Sequence, residues 1–145
     1  MKFYVVTGST LGTSEAAGET LVEELSQPAT LLHSPNLGQI ADATHLVFIC
    51  STHGAGEFPD TFLPLAQEIA SSENPFPSLS KLLLIGIGSS DYDTYNGAIK
   101  ELAKILASKG LEPVVEPILI DVTESFEPDL TAASLFKAHE DEFFA

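Results

Sequence analysis

Residues 8–15, Gly-Ser-Thr-Leu-Gly-Thr-Ser-Glu, follow the apolar run Phe3-Tyr4-Val5-Val6 and lead into a helical pattern that begins near Ser14. A buried strand that breaks into a hydroxyl-rich, glycine-containing turn and then a helix is suited to holding a phosphate. The helix start offers unpaired backbone N–H groups and a partial positive charge. Ser9, Thr10, Thr13 and Ser14 add short side-chain donors at the same place. A nucleotide-triphosphate loop needs a Lys after its second Gly, yet no Lys or Arg occurs between Lys2 and Lys81. The dinucleotide pattern G-x-G-x-x-G is absent as well. The loop therefore suits one phosphomonoester held by neutral donors, without Mg²⁺ and without a pyrophosphate.

Outward from this loop, four apolar runs read as buried strands, over residues 3–7, 46–51, 82–87 and 114–121, with a shorter fifth at Ala29–His33. Between them, apolar residues recur at helical spacing: Ala17, Leu21 and Leu25; then Phe62, Leu65, Ala66 and Ile69; then Ile99, Leu102, Ala103 and Leu106, with Gly110 as a stop. A last helix is predicted from about Asp129 to Phe144. Residues 34–45 lack a full helical pattern. Strands alternating with amphipathic helices imply right-handed crossovers and a parallel sheet covered on both faces. With the first strand central, the expected fold is α/β, a doubly wound five-stranded sheet of order 2-1-3-4-5 with helices on both faces. Ligands of such sheets lie beyond the carboxyl ends of the strands, near the switch point.

The 145 residues are expected to form a single domain, 1–145, and a hydrophobic content of 44% excludes a disordered chain. Six basic against twenty-one acidic residues give a formal net charge of −15. That argues against nucleic-acid and anionic-membrane binding, which depend on clustered Lys and Arg, and favours basic partners. Cys50, the one cysteine, lies in the apolar run 46–50 and reads as a buried core thiol, so neither an internal disulfide nor a multi-cysteine metal site is expected. His33, His45 and His139 show no metal-ligand spacing. The first apolar stretch is too short for a signal peptide and no run is long enough to span a membrane, so the expectation is a reduced, cytoplasmic protein.

Under the predicted order, three loops converge at one edge. The second is Ser51-Thr52-His53-Gly54-Ala55-Gly56-Glu57-Phe58-Pro59-Asp60, and the third is Gly86-Ile87-Gly88-Ser89-Ser90-Asp91-Tyr92-Asp93-Thr94-Tyr95-Asn96. Both are rich in glycine and small polar residues and carry ring side chains. Together with the phosphate loop they outline flat walls for a heterocycle.

On these three motifs, in this order, the chain resembles the flavodoxins over essentially its whole length, and most closely their short, acidic MioC-like type. GSTLGTSE is similar to the flavin-phosphate loop, STHGAGEFPD to the loop at the inner edge of the flavin, and GIGSSDYDTYNGA to the outer stacking loop. The FMN domains of diflavin reductases share the pattern. The resemblance implies non-covalent FMN, with Ser9, Thr10, Leu11, Gly12, Thr13 and Ser14 around its phosphate. It places Ser51, Thr52, His53, Gly54, Ala55 and Gly56 on one side of the ring. Gly88, Ser89, Tyr92, Asp93, Tyr95 and Asn96 lie on the other. Tyr92 is the expected ring on the outer face, where offset stacking is worth ~0.5–1.5 kcal/mol. Gly54 stands where the family turns a peptide carbonyl toward N5–H of the one-electron-reduced flavin, a rearrangement glycine tolerates. His53 departs from the pattern, since related FMN domains commonly carry a Tyr there and many flavodoxins a Trp or Met nearby; a His can stack and can also titrate near neutrality.

Glu57, Asp60, Asp91 and Asp93 are expected to ring the exposed flavin edge. A carboxylate ~10 Å away, at an effective dielectric of ~20, raises the cost of an added electron by ~1.7 kcal/mol. That corresponds to ~70 mV for one electron. The implied function is a low-potential one-electron carrier between a reductase and acceptor enzymes, a monomer that docks transiently on basic-surfaced partners and has no turnover of its own. Two alternatives stay open: a flavin or quinone reductase of the same fold, which would need a nicotinamide site, and an FMN-free interaction module. A signalling receiver domain shares the strand order but needs acidic residues after strand one, where this chain has Thr7-Gly8-Ser9.

Overall fold

A computed structural model describes residues 1–8, 12–52, 57–91 and 95–145. Five parallel strands form one sheet: β1 (Phe3–Gly8), β2 (Thr30–His33), β3 (His45–Ser51), β4 (Lys81–Gly88) and β5 (Ile118–Asp121). Their order is β2-β1-β3-β4-β5, as the alternation of strands and helices predicts. The helices are α1 (Thr13–Glu24), α2 (Leu37–Ile40), α3 (Leu63–Ser71), α4 (Gly97–Ser108), α5 (Pro128–Ala138) and α6 (Glu140–Phe144).

The central strands read as unbroken apolar runs because both of their faces are covered. In β3, Leu46, Phe48 and Cys50 point to one side and Val47 and Ile49 to the other. The first side packs against Ile40, Phe62, Ile69, Ile99, Leu102 and Leu106, from α2, α3, α4 and the turn before α3. The second packs against Ala17 and Leu21 of α1, Phe136 of α5 and Phe143 of α6.

Three elements differ from the sequence expectation. The last strand is predicted over 114–121, but the ladder with β4 runs only from Ile118 to Asp121. Pro113 and Pro117 have no N–H to donate, and proline is poorly accommodated in a ladder. Between them Val114 still donates to the carbonyl of Leu82 at 2.8 Å. Residues 34–45 do contain a helix, the single turn α2, closed by a capping box between Asn36 and Gln39. Finally, the helix expected over 129–144 is two helices joined at His139, whose backbone (φ −114°, ψ 8°) leaves the helical region. The bend turns Phe143 and Phe144 onto Phe3, with ring centroids 5.4 Å away in both cases.

His45 completes that aromatic cluster, 5.5 Å from the ring of Phe143 and 6.1 Å from that of Phe144. Burial, then Lys81 and the N-terminal ammonium, push its pKa below the usual 6.5. The neutral ring is thus the folded form. Its contribution to stability is complete above pH ~6.5, the unfolded value, and is lost as pH falls toward the lower folded value. Urea midpoints measured from pH 8 to 5 should decline below pH ~6.5, and His45→Phe should flatten that decline. An equal slope in both proteins would assign it elsewhere.

Candidate functional site

The parallel register brings four strand ends to one edge: Gly8 lies opposite Cys50, Ser51 opposite Ile87, and Gly88 opposite Asp121. The ends are stitched together by hydrogen bonds. The Ser51 hydroxyl donates to the Gly8 carbonyl at 3.4 Å, Thr52 N–H to Ile87 at 3.2 Å, and Val122 N–H to Gly88 at 2.9 Å.

The chain enters α1 through Gly12, whose φ of +82° is the left-handed conformation that glycine adopts at little cost. Among the described residues, no side chain caps this helix start. Ser14, in the first turn, is fully buried, and its hydroxyl has no hydrogen-bond partner among the described residues. A buried hydroxyl without a partner costs ~1–3 kcal/mol. Thr13 is half-buried beside it. The expected neighbours Ser9, Thr10 and Leu11 lie outside the described residues.

Of the second loop, Ser51 and Thr52 are described and His53, Gly54, Ala55 and Gly56 are not. The Thr52 hydroxyl accepts from the N–H of Ala98 at 3.2 Å, so it caps α4 from a neighbouring loop. Downstream, Pro59 accepts the N–H groups of Phe62 and Leu63, and the Phe58 ring packs 5.6 Å from that of Phe62. Glu57 and Asp60 are exposed.

The third loop leaves β4 at Gly88, Ser89, Ser90 and Asp91 and returns at Tyr95 and Asn96; Tyr92 and Asp93 are outside the described residues. Asn96, the residue before α4, has φ 52° and is fully buried. Thr52 performs the capping that Asn96 would otherwise do, and neither atom of the Asn96 amide has a regular hydrogen bond among the described residues. The glycines beneath it leave room for that amide. A Cβ on Gly86 would meet Asn96 Oδ1 at 2.7 Å, and one on Gly88 would meet it at 3.1 Å. The close approach at Gly88 is thus to Asn96. Tyr95 is half-buried with Lys100 Nζ 5.4 Å from its ring centroid. Burial raises its pKa, while the adjacent Asn96 amide acts in the opposite direction.

Asp121, which sequence reasoning passes over, belongs to this edge. It ends β5 and accepts bonds from Ser90 and Thr123, which hold its carboxyl at about 2. The available signal is an acid closing an apolar run at the same edge as Gly8, Ser51 and Gly88. Cys50 is a core thiol, as expected: burial, then Glu15, pushes it up to about 12. His33 shares a hydrogen bond with Thr7 Oγ1 at 2.5 Å. No cluster able to hold a metal ion occurs among the described residues, and no helix among them is long and apolar enough to cross a membrane.

A doubly wound sheet of order β2-β1-β3-β4-β5 takes its ligands beyond the carboxyl ends of the strands, near the switch point. A profile of the flavodoxin family matches residues 5–133. The chain is 36% identical over 134 residues to the Protein MioC homolog of Pasteurella multocida, covering 90% of each chain. It is 34% identical over 128 residues to Protein MioC of Escherichia coli K12, covering 86% of each. In fold it superposes on a point mutant of flavodoxin from Pseudomonas aeruginosa, with a TM-score of 0.86, 22% identity and full coverage of both chains. The chain belongs to the flavodoxin family and is closely related to its MioC-like short-chain members. Membership implies an FMN-binding, electron-transfer flavoprotein. The residues present fit that group: a left-handed Gly12 and a buried Ser14 hydroxyl, unpartnered among the described residues, open α1, where a phosphate would be received.

Proposed function

We propose that residues 1–145 act as one FMN-dependent unit, a monomeric cytoplasmic carrier that moves single electrons at low potential from a reductase to acceptor enzymes. The observation that carries this reading is the Ser14 hydroxyl, buried without a partner among the described residues at the start of α1. In this reading Ser9, Thr10, Leu11, Gly12, Thr13 and Ser14 hold the phosphate through neutral donors, and each bond to that charged group contributes ~1.5–3 kcal/mol. Ser51 to Gly56 on one side and Gly88, Ser89, Tyr92, Asp93, Tyr95 and Asn96 on the other flank the ring, with Tyr92 against its outer face and His53 at its inner edge. Thr52 and Asn96 act by holding the two loops to α4.

FMN, when bound, supplies the one-electron chemistry, and the chain supplies binding, orientation and charge. Exposed Glu57, Asp60 and Asp91 disfavour an added negative charge nearby and attract a basic partner, an effect that salt weakens. The net charge of −15 supports the same partner chemistry.

The test is the visible spectrum of purified protein with added FMN, followed by stepwise anaerobic reduction. Bound flavin with a transient long-wavelength band, and no NADPH oxidation until a reductase is added, is the expected result. Folded protein that leaves FMN free would overturn the carrier, and NADPH oxidation by the chain alone would make it a reductase.

A further inference from the structure

We propose that Asp121 is a positioning residue that clamps the third loop against the end of β5 and so sets the ring-side wall of the flavin site. The inference rests on the FMN reading above. One carboxylate oxygen, Oδ1, accepts three hydrogen bonds: from Ser90 N–H at 3.1 Å, Thr123 N–H at 3.0 Å and Thr123 Oγ1 at 2.8 Å. The Ser90 and Thr123 hydroxyls share a further bond of 3.1 Å. Just inside this clamp, Val122 donates to the Gly88 carbonyl. Just outside it, Asp91 N–H donates to Ser89 Oγ at 3.2 Å. The Asp121 carbonyl accepts from Glu124 and Ser125, at 3.1 and 2.9 Å, which fixes the connector on the other side.

The consequence is a loop held at both ends. Its exit from β4 is tied to Asp121, and its return into α4 is set by the left-handed, buried Asn96 and the Thr52 cap on Ala98. Residues between these anchors carry Tyr92 and Asp93. Asp121 ends β5 and Thr52 directly follows β3, so both anchors stand on the sheet itself. A loop fixed to a rigid element loses less freedom on binding a ligand. A clamp of this kind acts on the ring and not on the phosphate, which is received at α1 on the other side of the switch point. The bonds from Ser90 and Thr123 hold the carboxyl below the usual carboxylate range, at about 2.

Asparagine separates shape from charge at this position, because its amide oxygen keeps an acceptor at the place of Oδ1 while carrying no charge. The experiment measures dissociation constants for FMN and for riboflavin, which lacks the phosphate, in wild-type protein, Asp121→Ala, Asp121→Asn and Thr123→Val. Amide exchange at Ser90 and thermal midpoints are recorded in the flavin-free proteins. In Asp121→Ala both ligands should weaken by a similar factor, about tenfold for the bonds lost, with faster exchange at Ser90. Asp121→Asn should restore both readouts to within about threefold of wild type, the spread of a single weak bond. Thr123→Val, which removes the hydroxyl with its bonds to Asp121 and Ser90 but keeps the Thr123 N–H, should fall between and serves if the alanine variant does not fold.

Unchanged affinities and unchanged Ser90 exchange in Asp121→Ala would overturn the clamp. So would a loss confined to FMN, which would place the effect at the phosphate. Wild-type protein that binds neither flavin would instead sink the carrier reading, and Ser90 exchange would still decide whether Asp121 orders the loop.

Discussion

Ser14→Ala should make the flavin-free protein more stable and, at the same time, a poorer binder of FMN. The two signs follow from one atom. The hydroxyl is fully buried without a partner among the described residues, and burial of that kind carries a cost. Removing it should raise unfolding free energy by ~1 kcal/mol, the low end of the cost of an unsatisfied buried group. In the proposed site the same hydroxyl would donate to the FMN phosphate dianion, and a bond of that kind is worth ~1.5–3 kcal/mol, or roughly 10- to 100-fold in affinity. Riboflavin binding should be nearly untouched. General damage to the fold would lower stability and binding together, so urea unfolding paired with flavin titration tells the two cases apart. A destabilised apoprotein with normal FMN affinity would remove Ser14 from the phosphate site.

Gly86→Ala should be among the most damaging single methyl additions in the sheet. Its Cβ would lie 2.4 Å from Ile99 Cγ2 and 2.7 Å from Asn96 Oδ1, well inside contact distance. Both neighbours belong to α4 or the residue that precedes it, and both are fully buried, so neither can swing aside into solvent. Overpacking of this kind costs ~1–3 kcal/mol and occasionally more. For a chain of this size that corresponds to a fall in Tm of roughly 3–10 °C. The helix must move outward, which also shifts Asn96 and loosens the return of the third loop. FMN affinity should drop with stability. The double variant Gly86→Ala, Ile99→Ala tests the assignment: the methyl should cost less when Ile99 no longer opposes it. Strict additivity would mean that the strain arises elsewhere.

The parts of the molecule that are legible in the sequence are those governed by local periodicity. Runs such as Leu46–Cys50 and Leu82–Ile87, separated by helical repeats, are enough to order the sheet, because handed crossovers leave few ways to connect parallel strands. The loop motifs can be placed at one edge for the same reason. Interactions between residues distant in sequence are a different matter. Thr52 caps α4 through Ala98, 46 positions on, and no spacing rule announces that. Asp121 bonds Ser90, 31 positions back, across the β4–β5 pair. The bend at His139 is a tertiary choice, made to bring Phe143 onto Phe3 and Phe136. Two local signals are present but weak beside the apolar pattern: the prolines that shorten β5, and the Asn36-to-Gln39 box that starts α2.

Cys50 gives the protein an internal clock. It is fully buried next to Gly8 and Gly86, at the carboxyl end of the middle strand, and burial keeps its thiol protonated. A thiol reagent in the surrounding water cannot reach it while the sheet is closed. Modification must therefore wait for an opening event, and its rate counts such events without any label or tag. Any molecule that occupies the edge loops and favours the closed form slows that clock by the factor with which it stabilises the fold.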